Sequence, residues 1–306
     1  MRSGRASQPG TAAGSPGVAA RPAQRGVGVA LVAVSAASFG TLAIFARIAY
    51  RAGGEPVAVL TARFLIAGAV LVALMVAGRH PWPRGRTLGG LVALGGIGYV
   101  GQSLTFFTAL TLASAGLVSL LLYLFPAVVL VASVLFLGER LTPAKVAALV
   151  LAVTGSALTI GAAGGGRPLG IVLGVASALL YSGYILLSSR LIPSAGAVPA
   201  TAVIICTAAV VYTGIAAVIR PAFPGGAAGA LALLGLALVA TVLAVVTFFA
   251  GMARLGPSDT STVSTLEPVV TVVLAALVLR ETVTAGQIAG GFLILAAVLV
   301  LARVRS

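Results

Sequence analysis

Charge is scarce in this 306-residue chain: 8% of residues are charged and only 5 are acidic, where a soluble globular domain carries roughly 25%. That excludes water as the solvent of the fold. Histidine is as rare, and the single His80 lies in a loop near Trp82, which excludes a buried histidine triad or an HExxH zinc helix. The lone Asp259 excludes a paired-aspartate protease. The lone Cys206 falls inside an apolar run, so neither an intrachain disulfide nor a thiolate metal site can form. Asparagine is missing altogether, and with it any N-linked glycosylation sequon. No GxxxxGK[ST] loop occurs, so ATP hydrolysis on this chain is excluded as a driving force. No cofactor and no enzymatic activity are expected.

What the chain has is apolar sequence: 60% of its residues are hydrophobic, in runs of about twenty that match a hydrocarbon core about 30 Å thick when helical. The runs are continuous rather than alternating, which excludes a barrel. The expected fold is an all-α membrane protein with about ten spans, at 27–50, 57–77, 88–110, 114–137, 143–162, 168–189, 198–219, 227–252, 257–279 and 284–303. Proline and glycine punctuate the short connections. Residues 1–26, rich in Gly, Ala, Ser, Pro and Arg, read as a disordered cytoplasmic tail and not as a signal peptide.

The net charge of +14 is spread as ones and twos between the runs, which argues against nucleic acid as a partner. With a cytoplasmic N-terminus, thirteen basic residues fall inside, five fall outside, and Arg63 is left within the second span. The positive-inside rule therefore places both termini in the cytoplasm of a multi-pass protein of the inner (plasma) membrane.

The chain also repeats itself. An offset of 142 residues pairs Thr105-Phe106-Phe107 with Thr247-Phe248-Phe249 and, without a gap, Pro126 with Pro268. Leu135, Leu137, Glu139, Thr142 and Ala147 then meet Leu277, Leu279, Glu281, Thr284 and Ala289. Two domains follow, 27–162 and 168–303. Each holds five spans, an odd number, so the second copy enters the membrane in the opposite sense, the inverted-repeat design of many secondary transporters.

These residues resemble the EamA-type members of the drug/metabolite transporter superfamily over nearly all of residues 27–303. Carrying the resemblance are Phe39-Gly40, Ala62-Arg63-Phe64-Leu65, Gln102 with Phe106-Phe107, the stretch from Leu122 to Glu139, and Leu266-Glu267-Pro268-Val269 through Glu281. One departure stands out: Arg280-Glu281 replaces the Gly-Glu that the first half keeps at Gly138-Glu139. The resemblance implies a central cavity between the repeats, export or import of small metabolites including amino acids in some members, and alternating access.

Glu267, deep in the ninth apolar run, is the sharpest candidate for a substrate-binding or coupling role, because an ionised acid at a span's centre costs about 3 kcal/mol. It reads either as a site for an ammonium or proton, or as a carboxyl held neutral for structure; its counterpart in the first half is Phe125. Pro126 and Pro268 are candidate hinge or gating residues. Each crowds the carbonyl four residues earlier, Leu122 and Ser264, and both helices are expected to bend. Ser261, Thr262, Ser264 and Thr265 are placed to satisfy the backbone groups freed at the second bend. Arg63 either snorkels to the interface or turns its guanidinium toward a substrate carboxylate. Tyr99, Gln102, Tyr123, Tyr181 and Tyr184 supply polar tips at membrane depth, for a hydrophilic path or for contacts between helices. Glu139 and Glu281 read as structural, each ahead of a Thr that caps the next helix, with Pro143 at a helix's first position. The Gly170–Gly174 and Gly286–Gly290 spacings read as close helix packing.

The expected function is secondary transport of small metabolites, amino acids or drug-like solutes among them, in the export direction and by alternating access. A passive facilitator and a non-transporting scaffold or sensor are the rivals. The expected partners are a small-molecule substrate and the lipid bilayer, with a homodimer left open.

Overall fold

The computed structural model describes residues 22–125, 127–129, 131–132, 142–162, 167–255, 263–264 and 266–304, which are helical apart from short connections. Pro126, Glu139, Ser261, Thr262 and Thr265, with most of the predicted tail, lie outside the described residues.

In the first half, α1 (Pro22–Gly40) and α2 (Leu42–Arg51) together form the first predicted span, and α3 (Pro56–Ala77) forms the second. The third comprises α4 (Gly85–Ala93), a π-helical turn (Leu94–Tyr99) and α5 (Val100–Leu112); α6 (Ala115–Leu122) and α7 (Pro143–Ala162) complete the half. In the second half, α8 (Pro168–Ala195) and α9 (Ala197–Ile219) are followed by α10 (Gly226–Leu234), a second π-helical turn (Gly235–Leu243) and α11 (Ala244–Leu255). Then come α12 (Leu266–Leu279) and α13 (Ala285–Val304).

The described residues of the ten predicted spans are mainly helical. Among the described residues, 6 stretches are long and apolar enough to cross a membrane, and four shorter apolar ones, Ala115–Val129, Val146–Gly155, Leu266–Leu279 and Ala285–Ala297, occupy the fourth, fifth, ninth and tenth positions. Among the described residues, α6 has 8 residues and α12 has 14. Helix α1 starts at Pro22, ahead of the predicted Val27; proline suits a helix's first position because its missing amide has no partner to lose there.

Local chemistry accounts for several boundaries. Thr284 and Gln287 form a reciprocal capping box at α13: the Gln287 amide donates to Thr284 Oγ1 (3.2 Å) and the Thr284 amide to Gln287 Oε1 (3.0 Å). The Ser114 hydroxyl caps α6 by accepting from the Leu117 amide. Glu281, read in the sequence as structural, reaches the other half. Its two carboxylate oxygens accept from the Ala115 and Gly116 amides (3.0 and 3.3 Å) at the start of α6, where helix amides lack internal partners. Arg47 stands 3.8 Å from the same carboxylate. Arg280 takes φ +57°, the left-handed conformation that the glycine of a Gly-Glu pair would adopt without strain.

The halves interlock. The principal packing pairs are α7 with α13, α1 with α11, α3 with α9, α5 with α8 and α6 with α12, each joining one half to the other. Phe64, Leu60, Leu71, Phe107, Leu117 and Tyr212 lie in the main buried core that these contacts enclose. At the α7–α13 crossing a Cβ on Gly155 would stand 2.6 Å from the Gly290 carbonyl oxygen, so only glycine permits the approach.

Backbone carbonyls inside the apolar region are bonded by hydroxyls from the opposite half. Thr271 donates to the Gly40 carbonyl (3.0 Å) at the α1–α2 break, Ser35 to Ala244 (2.7 Å), and Ser182 to Phe125 (3.1 Å). The Ser264 carbonyl, which Pro268 deprives of its amide, accepts from the Tyr123 hydroxyl (3.0 Å). Among the described residues the donor comes across the repeat interface; Ser261, Thr262 and Thr265, among the local partners named in the sequence, lie outside them. Pro268 stands in the first turn of α12, and α6 ends at Leu122 with a turn at Tyr123 and Leu124, just ahead of Pro126.

Candidate functional site

Arg63 is carried inward on α3 and is only 2% exposed. It does not snorkel. Its Nε donates to Thr241 Oγ1 (2.9 Å) and its Nη2 lies 3.4 Å from the Tyr99 hydroxyl. The Phe64 and Phe107 rings sit 4.9 and 5.3 Å from its Cζ, distances at which a ring face attracts a cation. Among the described residues no carboxylate pairs with it and nothing accepts a hydrogen bond from Nη1. Every fully buried polar side-chain atom among them has a partner, so Nη1 is not wholly enclosed.

Both residues that hold Arg63 belong to π-helical turns. Tyr99 ends the first, and Thr241 lies within the second, where its hydroxyl donates to the Leu236 carbonyl five residues back (2.7 Å). The offset of 142 pairs Tyr99 with Thr241. The two halves thus bring corresponding residues, on corresponding distorted turns, to one guanidinium. Such π-turns are frequent at functional sites.

An aromatic run leads away from this point. Tyr212, Phe64, Tyr99, Tyr184, Tyr181, Phe125 and Tyr123 follow one another with ring centroids 5.0 to 6.0 Å apart. Tyr181 and Tyr184, expected to share a helix face, stack with their planes 9° apart. The run ends on an acid, for the Tyr123 hydroxyl donates to Glu267 Oε2 (2.8 Å) as well as to the Ser264 carbonyl. One hydroxyl hydrogen therefore faces two acceptors.

The structure brings together Arg63, Tyr99, Tyr181, Tyr184, Tyr123 and Glu267 of the residues singled out in the sequence. Gln102 is buried on α5 but, among the described residues, makes no side-chain hydrogen bond to this network. Pro268 adjoins Glu267 in α12. Sequence reasoning missed Thr241, Tyr212, Phe107 and Thr271. The repeat offset alone could have found Thr241, as the counterpart of Tyr99.

Long apolar helices in two halves that pack mainly on one another, around a run of aromatic rings that touches Arg63 and ends at Glu267, are the frame of a multi-pass membrane transporter. A model of the EamA-like transporter family matches residues 26–161 and again residues 168–303, segments separated by the same offset of 142, and the chain belongs to that family. The aromatic amino acid exporter YddG of Ancylobacter novellus is 33% identical over 153 residues, 45% of this chain and 50% of the exporter, so the match spans about half of that relative's length. A crystal structure of a protein 25% identical in sequence superposes with a TM-score of 0.66, covering 92% of this chain and 99% of its own.

Proposed function

We propose that this protein is a secondary carrier that exports small zwitterionic metabolites with an aromatic side chain across the inner membrane. The observation that carries the reading is the pairing of Arg63 from the first half and Glu267 from the second, set at two points along one run of aromatic rings. A buried cation without an acid partner suits a carboxylate, for which guanidinium offers a planar fork. Tyrosine faces suit an aromatic solute. Glu267 takes the positive charge, either the substrate's ammonium or a proton that couples transport. The exporter named above, which acts on aromatic amino acids, supports this class of solute.

In this reading all ten apolar segments cross the bilayer, the two repeats are inverted, both termini are cytoplasmic, and the halves rock about the site so that it faces each side in turn. Helices α6 and α12, in corresponding positions, are the elements that open and close it, with Pro126 and Pro268 as their hinges.

The test is uptake and efflux of labelled aromatic amino acids in proteoliposomes, with and without an imposed proton gradient, for the wild type, Arg63→Gln and Glu267→Gln. Accumulation against a substrate gradient, driven by protons and lost in Glu267→Gln, is the expected result. Equilibration without accumulation under every gradient would make the protein a facilitator. No flux of any amino acid would remove the reading.

A further inference from the structure

We propose that Thr241 is a positioning residue of the solute site: it holds the Nε edge of Arg63, so that the opposite edge of the guanidinium presents to a carboxylate. The inference rests on the reading of Arg63 as the carboxylate-binding group and adds what aims it.

The geometry of the fork carries the argument. Nε–H and one Nη2–H point the same way and form one edge of the planar group. Thr241 Oγ1 accepts from Nε at 2.9 Å and the Tyr99 hydroxyl lies 3.4 Å from Nη2, so this edge is taken. The remaining bidentate edge is Nη1 with the second Nη2 hydrogen, and Nη1 is the atom that has no hydrogen-bond partner among the described residues and is not wholly enclosed. Carboxylates bind such an edge through two parallel hydrogen bonds.

Thr241 can do this because it is itself fixed. Its hydroxyl hydrogen is committed to the Leu236 carbonyl at 2.7 Å, which leaves only lone pairs for Arg63 and forces it to act as acceptor. The residue is 1% exposed, and its acceptor carbonyl belongs to the π-turn. The direction of the Arg63 fork is therefore tied to that turn. Arg63 has Ile205 as its counterpart under the 142 offset, so one arginine of the first half is steered by a turn of the second. A solute carboxylate at Arg63 would register the relative position of the two halves.

The experiment measures dissociation constants on purified protein in detergent for three acids, L-phenylalanine, L-tyrosine and L-tryptophan, and for their carboxamides, in which the carboxylate is replaced. The variants are Thr241→Val, Thr241→Ser, Tyr99→Phe and Arg63→Gln. Thr241→Val is expected to weaken the acids about tenfold, the size of one hydrogen bond to a charged group, and to leave the carboxamides within about twofold. Thr241→Ser, which keeps the hydroxyl, is expected to restore acid binding. Tyr99→Phe tests the other contact on the same edge and is expected to act in the same sense but less; it serves if Thr241→Val does not fold. Equal weakening of acids and carboxamides by Thr241→Val, or no rescue by serine, overturns the positioning role while leaving Arg63 in place. A wild type that does not distinguish acid from carboxamide, a preference that survives in Arg63→Gln, or no binding of any of the six compounds, overturns the functional reading beneath it.

Discussion

Arg280 sits at φ +57° immediately after α12 and is exposed, as are Arg79 and Arg220 in similar conformations after α3 and α9. A left-handed non-glycine residue costs roughly 1–2 kcal/mol. Arg280→Gly is expected to raise the thermal unfolding midpoint in detergent by relieving about 1 kcal/mol of that cost, the rest being offset by glycine's greater freedom in the unfolded chain, with solute flux unchanged. Tyr123 is the opposite case, a residue whose loss leaves others stranded. Tyr123→Phe removes the donor to both the Ser264 carbonyl and Glu267 and is expected to cost about 1–3 kcal/mol, measured by the same melts, and to slow transport. An unchanged melt would mean that another group takes over the freed carbonyl. Glu267, Arg63 and the tyrosines were legible in the sequence because charge and large polar tips are expensive in an apolar run, so each needs a reason to be there. Thr241 was not, since a threonine hydroxyl can bond its own helix and costs little at any depth; only its partner identifies it.

The helices were legible from apolar run length, and the Thr284 cap from its residue type. The break between α1 and α2 was not. Gly40 and Thr41 interrupt a run with no proline, and what holds the break open is the Thr271 hydroxyl on the Gly40 carbonyl, a contact made 231 positions away. The π-turns were hidden for the same reason, because hydropathy does not register one extra residue per turn. Close helix contacts can be tested directly. Gly155→Ala is expected to destabilise by about 1–3 kcal/mol through overpacking against the Gly290 carbonyl, whereas Gly214→Ala, with nothing within 4 Å of its new Cβ, is expected to be neutral or to gain about 0.5–1 kcal/mol from helix propensity. Thermal melts of the pair decide it, and equal effects would refute the crossing geometry. Glu281→Ala strips two α6 amides of their acceptor and is expected to cost about 0.5–2 kcal/mol, the range for a lost helix cap. The sequence marked Glu281 as structural, but its partner lies in the other half, where local sequence logic does not reach.

Because the main packing pairs all run between halves, neither half encloses a core of its own. A chain ending at residue 162 and a chain starting at residue 168 are each expected to be degraded or to aggregate when made alone, and to assemble into an active carrier when made together; size-exclusion profiles and transport assays in co-expressing cells read the outcome. A monodisperse isolated half would show that the interlocking is not required for folding. The repeat was legible at this scale because the offset of 142 runs without a gap; the interlocking was not, since a repeat says nothing of whether its copies stand apart or intertwine. The π-turns are also paired across the halves. Such a turn holds one residue more than the α-helical register needs, yet here both copies have it within a gapless alignment, Leu94–Tyr99 against Gly235–Leu243. The same distortion thus stands at corresponding points of both halves, in the copy that carries Arg63 and in the copy that carries Glu267.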